Sequence, residues 1–160
     1  SRGASFESCK RPLRISDAIL ISGEIPMEME YEKTGSRFFV KQDGAFVPDK
    51  LDDELSLIVK TSNGLIIILG CAHRGIINTI KHARKITGEQ RVYAVVGGTH
   101  LAPADKERLH HTIAELKDIG IAKLGVSHCT GFKASMYFAR EFGDRFFLNH
   151  SGTRKVLLDD

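Results

Sequence analysis

Three cysteines in 160 residues, Cys9, Cys71 and Cys129, are too few and too odd in number for a disulfide framework. They fit free thiols in a reducing, cytoplasmic setting. No run of like charges reaches about five residues, because the 23 Lys+Arg and 20 Asp+Glu are spread along the chain. Dedicated nucleic-acid binding is therefore not expected. The longest apolar run, Leu65 to Leu69, is far shorter than the roughly 20 residues a membrane-crossing helix needs. The opening residues lead into no apolar segment that would read as a secretion signal. The chain does not begin with Met, which points to a cleaved, trimmed or internal start. HExxH and CxxC, the compact local metal signatures, are both missing. What is present is ordinary for a globular domain. Hydrophobic residues make up 42% and charged residues 27%, which argues against disorder and fibrous repeats. The length suits one domain, able to bury roughly 70% of its unfolded surface without disulfide staples.

Along the chain, residues 1–17 are polar and basic and read as an irregular lead-in. A short strand over 18–21 stops at Ser22-Gly23, and an acidic extended loop follows from Glu24 to Gly35. Residues 37–41 and the stretch around Phe46 predict a hairpin turning at Asp43-Gly44. A second tight hairpin joins strands over 55–60 and 65–69 through Ser62-Asn63-Gly64. The texture then changes to an apolar strand, a short Gly/His loop and a helix, three times over. The helices are expected at 76–86, 103–119 and 132–142, following strands at 65–69, 92–96 and 122–126. Pro103 suits a first helical turn and Gly120 an exit. Short closing strands are expected over 145–148 and 154–158. The pattern implies an α/β fold with a mixed sheet and helices outside it.

The chemistry is carried by the position of three histidines. His73, His100 and His128 each fall just past the end of an apolar strand and just before a helix. In α/β sheets, ligands bind beyond the carboxyl ends of the strands. Imidazoles gathered there serve either metal ligation or proton transfer. Cys71 and Cys129 stand in the same loops, and thiolate and imidazole are both good zinc ligands. Gly70, Gly75, Gly97, Gly98 and Gly131 allow close backbone approach, and the helix starts after Gly75 and Gly131 offer free N–H groups to phosphate. The acidic triplet Asp52-Asp53-Glu54 and Glu24 read as solvated groups, one carboxylate of which could reach the site. His82, His110, His111 and His150 read as ordinary helix or tail residues.

The strings Gly23-Glu24-Ile25-Pro26, Leu51-Asp52-Asp53-Glu54-Leu55, Leu69-Gly70-Cys71-Ala72-His73-Arg74-Gly75-Ile76-Ile77-Asn78-Thr79, Val96-Gly97-Gly98-Thr99-His100-Leu101 and His128-Cys129-Thr130-Gly131 occur in this order. The chain thereby resembles the dihydropterin-ribofuranosylaminobenzene-phosphate synthase-like metal-dependent hydrolases, a branch of the metallo-β-lactamase superfamily. The likeness runs from about Ile15 to Gly152. It implies an αββα sandwich with a metal site on one edge. It also implies His128 as the last His ligand, His73 as a ligand in the preceding loop, and Cys71 in or beside the ligand set. His100 is implied as a substrate-facing residue that transfers a proton or steadies the leaving group. Arg74, Thr130 and Gly131 are expected to hold substrate phosphate.

Two departures stand out. The superfamily's H-x-H-x-D-H string is missing, and Met27 replaces the basic residue usual after Ile-Pro. The expected reading is therefore the C-terminal portion of a larger domain. The rest would come from an N-terminal half or from a second copy, which would cover an apolar sheet face. The implied activity is hydrolysis of a phosphoester or related bond in a small, phosphorylated, possibly pterin-related molecule. One or two divalent ions, zinc before manganese or iron, would activate the water. The alternatives are a non-catalytic metal- or phosphate-binding half-domain that needs a partner, and a hydrolase using Cys71 or Cys129 as nucleophile.

Overall fold

A computed structural model describes residues 3, 5, 8–35 and 37–157. The short strands β1 (Leu13–Arg14) and β2 (Ile19–Ile21) open the main sheet. A separate two-stranded ribbon follows, made of β3 (Phe39–Gln42) and β4 (Ala45–Pro48). Its two-residue turn is the expected Asp43-Gly44, and both residues have positive φ, as such a turn requires. Next come the hairpin β5 (Ser56–Thr61) and β6 (Gly64–Leu69). Three crossovers complete the chain through α1 (Ile76–Thr87), β7 (Val92–Gly98), α2 (Lys106–Ile119), β8 (Lys123–Ser127), α3 (Gly131–Phe142) and β9 (Phe146–Leu148).

The main sheet has the order β1-β2-β5-β6-β7-β8-β9. Its first four strands pair antiparallel, and β6 to β9 run parallel. This is the mixed α/β sheet that the change of texture implied. Each parallel step moves one place the same way, so right-handed crossovers put all three helices on one face. The core lies there. Ile58, Leu65, Ile67, Val95 and Leu124 on the strands meet Ile76, Ile77 and Ile80 of α1, Leu116 of α2 and Phe138 of α3.

The opposite face is also apolar. One row of paired residues crosses the whole sheet: Leu13, Ile21, Leu57, Ile68, Val96, Gly125 and Phe147. No helix of the described residues packs on this row. Ile68 at its centre is 41% exposed. A strand with one side in water ordinarily alternates apolar with polar; these strands are apolar on both sides, as buried sheets are.

Three expectations need correction. The lead-in is not wholly irregular, because Leu13 and Arg14 pair with Ile21 and Leu20. Two residues are too few to show a period. The second helix starts at Lys106 and not at Pro103, because the Asp105 side chain accepts the Arg108 N–H at 2.8 Å and sets the cap there. Pro103 lies in the turn before it. No strand forms over residues 154–157, and Leu158 lies outside the described residues. No helix of the described residues is long and apolar enough to cross a membrane.

Candidate metal centre

The loops after β6, β7 and β8 meet at one edge of the sheet. Each contains one non-glycine residue in the left-handed region: Ala72 (φ 52°), His100 (φ 47°) and His128 (φ 49°). Such backbone is held at an energetic cost of order 1–3 kcal/mol per residue, and it concentrates at functional sites. The loops approach so closely that side chains are excluded between them. A Cβ on Gly98 would lie 2.7 Å from the Cys129 Sγ and 2.7 Å from the Gly70 carbonyl oxygen. Glycine is required at that point by contact alone. Thr130, which is buried, joins two of the loops by accepting the Thr99 N–H at 3.2 Å and by its hydroxyl contact with Thr99 at 3.0 Å.

This convergence places one ligand atom each of Cys71, His128 and Cys129 within 4.8 Å of one another. Two thiols and an imidazole form a borderline-soft donor set suited to zinc, and three protein ligands leave a position open for water or substrate. The residues present therefore fit a divalent metal. Cys129 Sγ receives the His100 N–H at 3.3 Å and lies 3.4 Å from the Cys71 carbonyl oxygen. Burial pushes the Cys129 thiol up to about 11, while the His100 N–H works the other way. All three cysteines are free.

His73 and His100 stand together beside this set, with ring centroids 4.4 Å apart and edge to face. Phe38 lies against both, at 5.5 and 6.1 Å. Glu54 holds the His73 loop. Its Oε1 accepts the His73 N–H at 2.6 Å and lies 3.1 Å from His73 Nδ1, and its Oε2 accepts the Arg74 N–H at 2.8 Å. This leaves His73 Nε2 for another partner. His100 is held below the ordinary histidine range, chiefly by burial and then by the charges of His73, Arg108, Arg37 and His128. Of the residues expected to act, His128 and Cys71 are thus brought together with Cys129, while His73 and His100 form an adjoining pair.

The residues expected to receive phosphate are engaged elsewhere. Arg74 is 7% exposed and ion-pairs with Asp52 and, at 3.6 Å, with Glu24. Thr130 is buried in the loop contact, and Gly131 packs against Ala102. The start of α1 is not open to an anion either. The buried Glu32 carboxylate already accepts the Ile77 N–H at 3.0 Å and the Asn78 N–H at 2.7 Å. A Cβ at Gly75 would collide with it. Sequence reasoning passed over Glu32, because nothing local ties an acidic loop residue to a helix 45 positions away.

The mixed α/β fold is the one found in a metal-dependent hydrolase of the β-lactamase superfamily. The crystal structure of Tm1679, described as such a hydrolase, superimposes with a TM-score of 0.83 and 29% identity, over 91% of this chain and 56% of that one. Among curated sequences the chain is similar to the 7,8-dihydropterin-6-methyl-4-(beta-D-ribofuranosyl)-aminobenzene-5'-phosphate synthase of Methanocaldococcus jannaschii. Identity there is 40% over 153 residues, covering 94% of this chain and 52% of the relative. An uncharacterized protein of the same organism, MJ0448, is 35% identical over 133 residues, or 82% of this chain and 47% of that protein. No family model matches. The chain spans about half the length of the curated relatives it matches.

Proposed function

We propose that this chain is the metal-holding, C-terminal portion of a metallo-β-lactamase-fold hydrolase of the dihydropterin-ribofuranosylaminobenzene-phosphate synthase-like branch. Its substrate would be a phosphorylated small molecule. The observation that carries the reading is the meeting of Cys71, His128 and Cys129 within 4.8 Å at the strand ends, beside the His73–His100 pair. A divalent ion on that set, when bound, supplies Lewis acidity and an activated water for attack on a phosphoester.

The protein's own residues have separable tasks. Cys71, His128 and Cys129 would hold the ion, and His73 would supply a further donor through Nε2. Glu54 fixes the His73 ring by its contact with Nδ1, as carboxylates do for ligating histidines. Burial and the neighbouring positive charges hold His100 below the ordinary histidine range, which favours the neutral ring that could accept a proton at the site. The half-buried rings of Phe38 and His73 lie against its flank.

The test is direct. Hydrolysis of bis-(p-nitrophenyl) phosphate by the purified protein should stop after treatment with a chelator and return on addition of zinc or manganese. Turnover unchanged by chelation would overturn the reading. A second reading rests on the 40% relative, which is named a synthase of a phosphorylated ribosyl-aminobenzene compound. In that case the same metal and His100 would serve bond formation, and phosphodiester probes would stay intact in metal-loaded protein.

The apolar row on the far sheet face fits a second sheet, contributed by an N-terminal half of the length by which the relatives exceed this chain. Ile68→Lys puts a charge at the centre of that row. It should lower the Tm of the protein by about 8 °C or more if a sheet covers the face, since an unpaired buried charge is strongly destabilising. A shift under about 2 °C would mean that the row meets water. A concentration-dependent Tm would point instead to a second copy of the chain.

A further inference from the structure

Beside His100 lies a cleft of about 490 Å³ lined by Lys33, Arg37, Phe38, His100, Pro103 and Arg108, among others. No carboxylate lines it. Among the described residues, none of Lys33, Arg37 and Arg108 has a carboxylate within 4.0 Å, whereas Arg74, in the loop after β6, has two. Three cations around one hollow repel each other; Lys33 and Arg37 are exposed to water, Arg108 feels the Glu32 charge, and on their other side Lys33 and Arg108 border a second cleft with Glu30, Asp105 and Glu107. Arg108 is the most informative. Its Nη1 donates to the Lys33 carbonyl at 3.1 Å, but its Nε and Nη2 are buried without a partner. Leaving such donors unmet is costly, more so for a charged group. His100 Nδ1 is likewise buried without a partner.

The cations are placed by the core and not by chance. Glu32, fully buried on the start of α1, immediately precedes Lys33. Asn78 Oδ1 accepts the Glu28 and Met29 N–H groups, each at 2.9 Å, and so pins the same loop. On the other wall, His100 is bonded through its N–H to Cys129. The cleft therefore adjoins the candidate metal set through one residue.

We propose that this cleft binds the phosphate of a phosphate monoester, held by Arg37, Arg108 and Lys33, with the organic part of the molecule against Phe38. Guanidinium groups match phosphate oxygens with paired N–H bonds; Lys33 and Arg37 are exposed beside the cleft, and Arg108, whose Nε and Nη2 are closed to solvent, meets the oxyanion after a shift of its side chain. The inference takes from the proposed function only the ligand class; the site itself stands on the cleft.

The test titrates the metal-loaded protein with inorganic phosphate, and with phenylphosphonate, whose C–P bond resists hydrolysis. Binding is followed by calorimetry at low salt. Saturable binding of both is expected, tighter for phenylphosphonate. Arg37→Ala and Arg108→Ala should each weaken it at least tenfold, and Arg108→Lys should recover only part, while the exposed Lys85→Ala leaves it unchanged. Bound metal is measured in every sample. Absent or non-saturable binding by the wild-type protein, or binding equal in Arg37→Ala and wild type, would overturn the proposal even where metal is retained. Loss of metal with phosphate binding intact would instead count against the hydrolase reading.

Discussion

Replacing His128 and Cys129 together by alanine is expected to strip the protein of its divalent metal. Metal retained after dialysis should fall from about one ion per chain to below about a tenth, because losing two of the three clustered donors leaves only the Cys71 thiol and the proposed His73 imidazole. Elemental analysis of the dialysed protein reads this directly, with circular dichroism as the check on folding. Single variants grade the assignment. Cys71→Ala should lose metal almost as fully. His73→Ala separates two roles. A residue that only orients its neighbours costs roughly 10–100-fold in affinity, whereas a ligand costs more. Glu54→Gln should show the smaller loss, since it acts on metal through His73 and the two loop N–H groups. Undiminished metal in the double variant would remove Cys71, His128 and Cys129 as the centre.

The second large effect concerns Glu32. Its carboxylate is buried, and it takes two N–H groups at the start of α1 that have no acceptor within the helix. Those bonds, with Arg108 and Lys81 nearby, favour the charged form. Burial outweighs them and raises the Glu32 carboxyl to about 7. The sign follows from which state binds the proton more tightly. Between the ordinary carboxylate range and pH 7, the folded protein holds a proton at Glu32 that the unfolded chain has released. Stability from this group is therefore greatest at low pH and is lost as pH rises to about 7, by on the order of 2–4 kcal/mol in all. Urea unfolding at pH 5 and pH 8 should show this fall, and Glu32→Gln should flatten it. Glu32→Ala should destabilise at both pH values by roughly 2–4 kcal/mol, since it leaves a cavity and two unmet N–H groups. A pH profile identical in wild type and Glu32→Gln would show that Glu32 does not titrate in this window. Because Glu32 anchors the segment bearing Lys33, the alanine variant should also lose phosphate binding.

Much of this was legible without coordinates, and the reason is local. Ile76, Ile77, Ile80 and Ala83 recur at the spacing of one helical face, and all four are buried under the sheet. Asp43-Gly44 can form its tight turn with few alternatives. His73, His100 and His128 follow apolar strands directly, and parallel strands joined by helices must end on the same edge. Their shared neighbourhood was thus implied by order alone. Whether a carboxylate or a cation is free was not. Arg74 and Arg108 look equivalent along the chain. One is neutralised by Asp52 and Glu24, and the other, among the described residues, has no carboxylate within 4.0 Å and only the longer-range charge of Glu32. Such pairing depends on residues 20 to 50 or more positions away, which no local pattern registers.

The residue order by itself determined the strand-loop-helix units, the gathering of three histidines and two cysteines at one sheet edge, and the apolar character of both sheet faces. Periodicity and chain connectivity suffice for these, because backbone geometry leaves few other ways to arrange them. Only the tertiary structure decided which groups touch. It put Cys129 with Cys71 and His128, turned His73 toward Glu54, closed the start of α1 with Glu32, and left three cations around a cleft. Those outcomes hang on contacts of a few ångströms between distant segments. Burial and desolvation, which act only once the chain has folded, set their energies.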